Sequence, residues 1–216
     1  LAGGVIVTVL TAGVARAEVN ELRVAQQFGL AYLPLMVMEQ RNLIEKHAKT
    51  AGLGDIKVTW YRLAAGSAMN DALLSGSLDV ASGGVPPLIT LWDRTRGEVK
   101  ALAALNAMPN LLNTRNPNVK SVRDFTDQDK IALPAVKVSF QAMLLQMAAA
   151  REFGDKEYSR LDRFTVSMSH PDGMAALLSG HSEITAHFTS PPFSTLELEK
   201  PGVHKVLSSY DLLGGP

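Results

Sequence analysis

The pentapeptide Ala72-Leu73-Leu74-Ser75-Gly76 recurs as Ala176-Leu177-Leu178-Ser179-Gly180, and each copy continues through the same succession of residue types. An acidic residue stands three positions past the Gly, Asp79 in the first copy and Glu183 in the second. A short apolar run follows, and then a proline pair, Pro86-Pro87 and Pro191-Pro192, the second offset by one inserted residue. Leucine-rich helix ends capped by Gly can recur by chance. An acid, an apolar run and a proline pair in the same order make an internal duplication, because similarity at a fixed spacing marks two copies of one structural unit. Two such units side by side create a cleft between them.

The chain of 216 residues is long enough for one large domain or two small ones. Its 21 basic and 21 acidic side chains balance, so no basic surplus points to nucleic acid. Cysteine is absent, which removes disulfides, thiolate nucleophiles and cysteine metal ligands together.

Residues Leu1 to Val14 are almost wholly apolar or small, and Ala15-Arg16-Ala17 follows them. This pattern reads as the remnant of a secretory signal over residues 1–17, cleaved near Ala17. The run is shorter than the ~20 residues that a membrane-spanning helix needs. A buried strand and a membrane anchor are the competing readings. Neither a basic leading region nor an initiating Met precedes the run, so the start is expected to be truncated. No Cys follows for lipid attachment, and the expected location is the periplasm.

Beyond residue 17, strand-like alternation and helix-like periodicity take turns. Leu22-Arg23-Val24-Ala25 and Ile56-Lys57-Val58-Thr59-Trp60 alternate as half-buried strands do. Between them, Leu33 to Lys46 predicts one helix, with Pro34 in its first turn. A helix over about Ala68 to Leu74, a strand around Leu78 to Ala81, a helix from about Pro86 to Arg94 and a strand from Val99 to Leu105 complete a first unit. From Asn106 to Val119 the composition shifts to Asn, Pro, Thr and Arg, and this stretch is expected to cross between lobes. The pattern then restarts, with strand Lys130 to Leu133, helix Phe140 to Phe153, strand Arg163 to Met168, helix Pro171 to Leu178 and strand Glu183 to His187. Val206 to Leu213 reads as a strand without a partner, as though the chain stopped short of a return crossing. The expectation is an α/β fold of two lobes, residues 18–108 and 109–216, each a mostly parallel sheet flanked by helices.

In such sheets ligands bind beyond the carboxyl ends of the strands. That rule selects Gln26, Gln27, Phe28 and Gly29 after the first strand, Gly66 and Ser67 after the second, and Ser82, Gly83 and Gly84 after the third. In the second unit it selects Val138 and Ser139, then Ser169 and His170, then His187, Phe188 and Thr189. Loops of Gly, Ser and Thr at helix starts offer free N–H groups at the positive end of a helix dipole, which suits a small anion. The competing reading is that Ser67, Ser139 and Ser169 only cap their helices, each contributing about 1 kcal/mol.

Gly66-Ser67, the run Ala72 to Gly76, Leu78-Asp79-Val80 with Ser82-Gly83-Gly84-Val85-Pro86-Pro87, and the segment from Lys130-Ile131-Ala132-Leu133 onward resemble ABC-transporter solute-binding proteins of the sulfonate/nitrate/taurine type. The resemblance covers almost all of the chain past the signal. It implies a periplasmic-binding-protein-like fold of type II and a solute held between the lobes. It also implies a permease and an ATPase as partners of a monomer, with no catalysis and no cofactor. Gly83, Gly84 and Pro86 stand where relatives line the cleft, and Val138 and Ser139 stand at the Ser-containing helix start of the second lobe. Gln26 and Gln27 match a first-strand loop, though without its aromatic. Thr189-Ser190-Pro191-Pro192-Phe193 replaces the relatives' Trp-Asp-Pro-Phe, which speaks against taurine or a simple alkanesulfonate as ligand. Relatives of the thiamine-pyrimidine-synthase-like branch use a Cys-rich motif that this chain cannot supply. The effector domain of a regulator would need a helix-turn-helix where the apolar leader stands.

The five histidines show no HxH or HxxxH cluster, so no metal is expected. His170 and His187 are instead expected to hydrogen-bond a ligand. Lys137 is a candidate counter-charge.

Overall fold

The computed structural model describes residues 19–215. The signal reading of residues 1–17 lies outside the described residues. Among the described residues eight strands are arranged in two sheets: β1 (Glu21–Gln26), β2 (Lys57–Arg62), β3 (Val80–Ala81), β4 (Leu111–Thr114), β5 (Ile131–Leu133), β6 (Thr165–Ser167), β7 (Ala186–Thr189) and β8 (His204–Ser208). The first sheet runs β2-β1-β3 and is parallel throughout. The second runs β6-β5-β7-β4-β8. Its parallel part, β6-β5-β7, repeats the order of the first sheet strand for strand, as a duplicated unit requires. Strand β4 then adds antiparallel to β7 and to β8, so this sheet is mixed.

Among the described residues eight α-helices cover the sheets: α1 (Leu33–Arg41), α2 (Leu43–Thr50), α3 (Gly66–Leu74), α4 (Val85–Arg94), α5 (Phe140–Phe153), α6 (His170–Ser179), α7 (Phe193–Leu198) and α8 (Ser209–Leu213). The repeated pentapeptide ends α3 in one lobe and α6 in the other. In each case its Gly takes a positive φ, 70° at Gly76 and 71° at Gly180, a conformation open to Gly at little cost. An arginine clasps each turn. Arg23 Nη1 donates to Gly76 O at 2.6 Å while its Nη2 pairs with Asp79 at 2.7 Å. Arg115 donates to the carbonyls of Gly180 (2.8 Å), Ser182 (2.7 Å) and Ile184 (3.2 Å).

The structure corrects four expectations. Leu33 to Lys46 is not one helix, because Asn42 adopts the left-handed conformation (φ 50°, ψ 46°) and divides it into α1 and α2; Asn is among the few residues that visit this region readily. Val99 to Leu105 forms no strand, and Leu102 is 83% exposed. The stretch Asn106 to Val119 contains β4, which binds β7 and β8. Strand β8 ends at Ser208, has β4 as its partner, and gives way to α8.

Strand alternation divides the second sheet into two different faces. Leu112, Ile131, Leu133, Ala186 and Phe188 point to one side and form the main core with Leu144, Leu145 and Ala149 of α5 and with Phe164. On the opposite face Ala132 packs with Leu177 and Ile184. Asn113, His187 and Thr189, all fully buried, alternate with Leu112 and Phe188 and so face that same side. In the first lobe a smaller core joins Ala25, Met69 and Leu78.

Candidate functional site

Helix α5 starts where Ser139 accepts the N–H of Ala142 at 3.2 Å. Helix α6 starts where Ser169 accepts that of Asp172 at 3.3 Å. Both serines therefore cap their helices, as the competing reading held. Ser67 does not, since the residue before α3 is Ala65 and Ser67 lies in the first turn.

Three first-lobe loops converge. Gln27 Nε2 donates to Ser82 O at 3.3 Å, and a Cβ built on Gly83 would lie 3.7 Å from Gln27 Nε2 and 3.9 Å from Gly66 Cα. Gly66 in turn touches α4, where a Cβ would meet Pro87 Cγ at 2.8 Å. The lobes meet at the same level. A Cβ on Gly84 would stand 2.8 Å from Cβ of Phe140 at the start of α5, and one on Gly29 would stand 3.2 Å from Pro191 O. Leu30 N donates to Pro191 O at 2.9 Å. Gln27, Gly66 and Gly83 thus gather at the loop ends of the first sheet, and Gly84 beside them meets Phe140, the residue that follows Ser139 at the start of α5.

Gln26 and Phe188 are engaged elsewhere. Gln26 is fully buried, and its Nε2 reaches Glu39 on α1 at 2.6 Å. Phe188 belongs to the core against α5, as its alternation with His187 in β7 dictates. Val138 is 46% exposed, beside an exposed Lys137 held at φ 66°. Phe28 is half-buried after β1.

His170, His187 and Thr189 form a buried polar chain under the second-lobe side of the cleft. Glu197, on α7 and 0% exposed, lies 2.5 Å from His187 Nδ1. His187 Nε2 lies 3.3 Å from His170 Nδ1, which Thr189 Oγ1 also approaches at 2.9 Å. Gln141 Nε2 stands 3.4 Å from His170 Nε2 and donates to Asn110 Oδ1 at 2.8 Å. Asn113 Nδ2 donates to Glu197 Oε2 at 2.9 Å. Burial, reinforced by the neighbouring His187 ring, pushes the His170 imidazole down to about 3, so the ring is neutral at ordinary pH. Gly173 makes room for this chain, since a Cβ there would lie 2.6 Å from His187 Nε2. The sequence reading had both histidines but lacked Glu197 and Asn113. Period-two alternation along β4 carried the signal for Asn113, while Glu197 on α7 had none in the strands.

Among the described residues no group of three or more His, Cys, Asp or Glu is placed to hold a metal. An apolar hollow of about 410 Å³, lined by residues including Met38, Leu43, Ile44 and Leu53, lies against α1 and α2, away from the converging loops.

No protein-family model matches the sequence, and no curated protein matches it. Solved structures do match the fold. The aliphatic sulphonate binding protein SsuA of Escherichia coli is 22% identical, with 90% of this chain and 62% of that one covered and a TM-score of 0.58. The alkanesulfonate-binding protein SsuA of Xanthomonas axonopodis pv. citri, bound to MOPS, is 20% identical over 91% and 63%, with a TM-score of 0.65. The nitrate-binding protein NrtA of Synechocystis PCC 6803 is 19% identical over 90% and 53%, with a TM-score of 0.61. The chain spans less than two thirds of the length of each. At these identities the likeness is one of fold: this chain has the α/β fold of the periplasmic binding proteins.

Proposed function

We propose that this chain belongs to the solute-binding component of an ABC importer, exported to the periplasm, which captures a small anionic or polar organic solute of the sulfonate, nitrate or taurine kind and presents it to a membrane permease and its ATPase. It performs no chemistry. The observation that carries this reading is the convergence of loop ends from two duplicated sheets, with the start of α4 at Gly84 packed on the start of α5 at Phe140. Helix starts facing a shared cleft supply N–H donors and the positive ends of helix dipoles to an anion. The names of the fold relatives, two for sulfonates and one for nitrate, point the same way. Residues 18–108 and 109–216 are the two lobes, and ligand contacts come from Gln27, Phe28, Gly66, Ser67, Gly83, Gly84, Val138, Ser139 and His170.

A thermal-shift panel on the protein tests the reading, with alkyl and aromatic sulfonates, taurine, nitrate, aromatic carboxylates and pyrimidines as candidates. A ligand at ~100 times its dissociation constant adds about 2.7 kcal/mol, enough to raise the midpoint by several degrees. One clear hit is the expected result. A folded protein that ignores the whole panel would count against an anionic or polar solute of these classes.

A further inference from the structure

Between α4 and β4 the chain runs from Val99 to Asn110 without a helix or strand, and polar ties mark where it changes lobes. Asn106 Nδ2 donates to Ala31 O at 2.7 Å, which holds Asn106 to the turn that follows β1. One residue on, Ala107 O accepts the hydroxyl of Tyr210 on α8 at 2.6 Å. Asn110 is then held twice by Ser209, its N–H donating to Ser209 Oγ at 3.0 Å and its carbonyl accepting Ser209 N–H at 2.9 Å. Asn106 is thus tied to the first lobe and Ala107 to the second, with one peptide link between them.

The second-lobe side of that link is braced against the helix starts. Asn110 and Gln141, the latter in the first turn of α5, are both buried. Gln141 Nε2 donates to Asn110 Oδ1 at 2.8 Å and stands 3.4 Å from His170 Nε2 at the start of α6. An amide pair shielded from water is a firm tether, because breaking it strands buried polar atoms. Leu212 of α8 packs on the core that α5 helps to build, which steadies Ser209 and Tyr210 as well. The stretch before the link has no such bracing. Residues 101–104 are all exposed, Leu102 by 83%, and they are the competing place for a bend.

We infer that the lobes pivot at the Asn106–Ala107 link, and that Asn110 and Gln141 are positioning residues, a strut that ties this pivot to the start of α5. The inference rests on the two-lobed binding reading above and deepens it, by placing the bend and the side chains that set its direction. In a hinge a few loop residues absorb the change in φ and ψ while packed elements move as bodies. Here one body ends at Asn106, held by Ala31 O, and the other begins at Ala107, held by Tyr210. Freedom gained before Asn106 stops at that first tie. Freedom gained at Ala107 turns one lobe against the other. A solute seated at the start of α5 touches the same turn whose Gln141 amide holds the crossing chain, so the side chain that braces the pivot stands beside the bound solute.

Spin-label distances test this without any solute. The chain has no cysteine, so Leu74→Cys with Tyr158→Cys, both at exposed positions, puts one label on each lobe. Tyr158→Cys with Leu196→Cys, also exposed, puts both on the second lobe as a control. In the unliganded protein Ala107→Gly should widen the interlobe distance distribution to about one and a half times that of the labelled parent, since Gly frees the backbone at the link. Ala103→Gly should leave it unchanged. Gln141→Met keeps an unbranched side chain without the amide and should widen the interlobe distribution while the second-lobe pair stays put. Asn110→Asp keeps the acceptor that Gln141 needs and should stay at parental width. Should Gln141→Met fail to fold, Asn110→Ala compared with Asn110→Asp reads the same strut. No widening by Ala107→Gly, or equal widening by Ala103→Gly, overturns the pivot. Parental width in the variants that lose the amide pair overturns the strut, and so does a second-lobe distribution that widens with the interlobe one, since that marks a loosened lobe. None of these outcomes touches whether an anion binds, which the thermal-shift panel decides separately.

Discussion

Two buried residues show how local chemistry fixes the second lobe. Asp129 is 1% exposed, and both its oxygens are acceptors. Asn116 Nδ2 (2.8 Å) and Thr185 Oγ1 (2.9 Å) donate to Oδ1, and the N–H and hydroxyl of Thr126 donate to Oδ2. Burial alone would raise this carboxyl, but the hydrogen bonds together outweigh it and hold the group below its usual 3.8. A depressed native pKa stabilises the fold above the unfolded value and loses that contribution as pH falls through the native one. Asp129→Asn must aim an amide at donors, and should cost about 1–3 kcal/mol near neutral pH. In urea denaturation series the gap to wild type should hold down to about pH 4 and narrow below it. Gly173 is the second case. Gly→Ala inside a helix ordinarily gains up to about 1 kcal/mol, yet here the methyl would overlap His187. Overpacking costs about 1–3 kcal/mol, so Gly173→Ala should be destabilising overall in the same assay.

At the scale of elements, what was legible depended on whether the signal was local. Helix α5 was read with its observed ends because an apolar run lies between a capping Ser139 and Gly154. Both repeated helix ends were legible from their Gly residues. The strand expected at Val99 to Leu105 failed because an apolar run of mostly Ala and Leu has little strand preference and does not supply a neighbour to bond with, and among the described residues no strand lies beside it. Strand β4 was missed because Pro109 and Pro117 made its surroundings read as a crossing; four residues between two breakers are enough for a short strand. The arginine clasps were out of reach, since Arg115 finds the carbonyls that follow α6 only once β4 has paired with β7. The two clasps should differ in weight. Arg115 is half-buried and satisfies three carbonyls, so Arg115→Ala should cost about 2–3 kcal/mol. Arg23 and Asp79 are each about a third exposed, where solvent screening weakens an ion pair. Arg23→Ala should therefore lower the urea midpoint visibly less than Arg115→Ala, and equal losses would mean that the first clasp is better shielded than its exposure implies.

At the scale of the whole molecule, the duplication announced two similar units of parallel strands but neither the order of strands within each sheet nor the antiparallel strands added to the second. β6-β5-β7 repeats β2-β1-β3, while the antiparallel β4 lies outside the repeated unit, and no residue pattern announces strand direction. The converging loops were legible for a related reason: in a parallel sheet every strand delivers its following loop to the same end. What the pattern could not tell is how closely the two loop clusters approach. Gly84 sets that distance, since its Cα packs on Phe140 where a Cβ would come within 2.8 Å. Carbon atoms rest at about 3.5–4.0 Å, and both partners start helices whose backbones cannot yield independently. A side chain at Gly84 should therefore act as a wedge between lobes rather than as a fault within one. Gly84→Val should keep its unliganded melting midpoint near wild type, because the side chain it meets, Phe140, is only partly buried and packs at the edge of the second-lobe core. In small-angle scattering the wild-type protein should contract when saturated with a ligand from the thermal-shift panel, and the variant should contract less, with affinity at least tenfold weaker. Full contraction at unchanged affinity would mean that this contact is not part of the closed, ligand-holding state, and would move the point of closure to the Gly29–Pro191 side of the cleft.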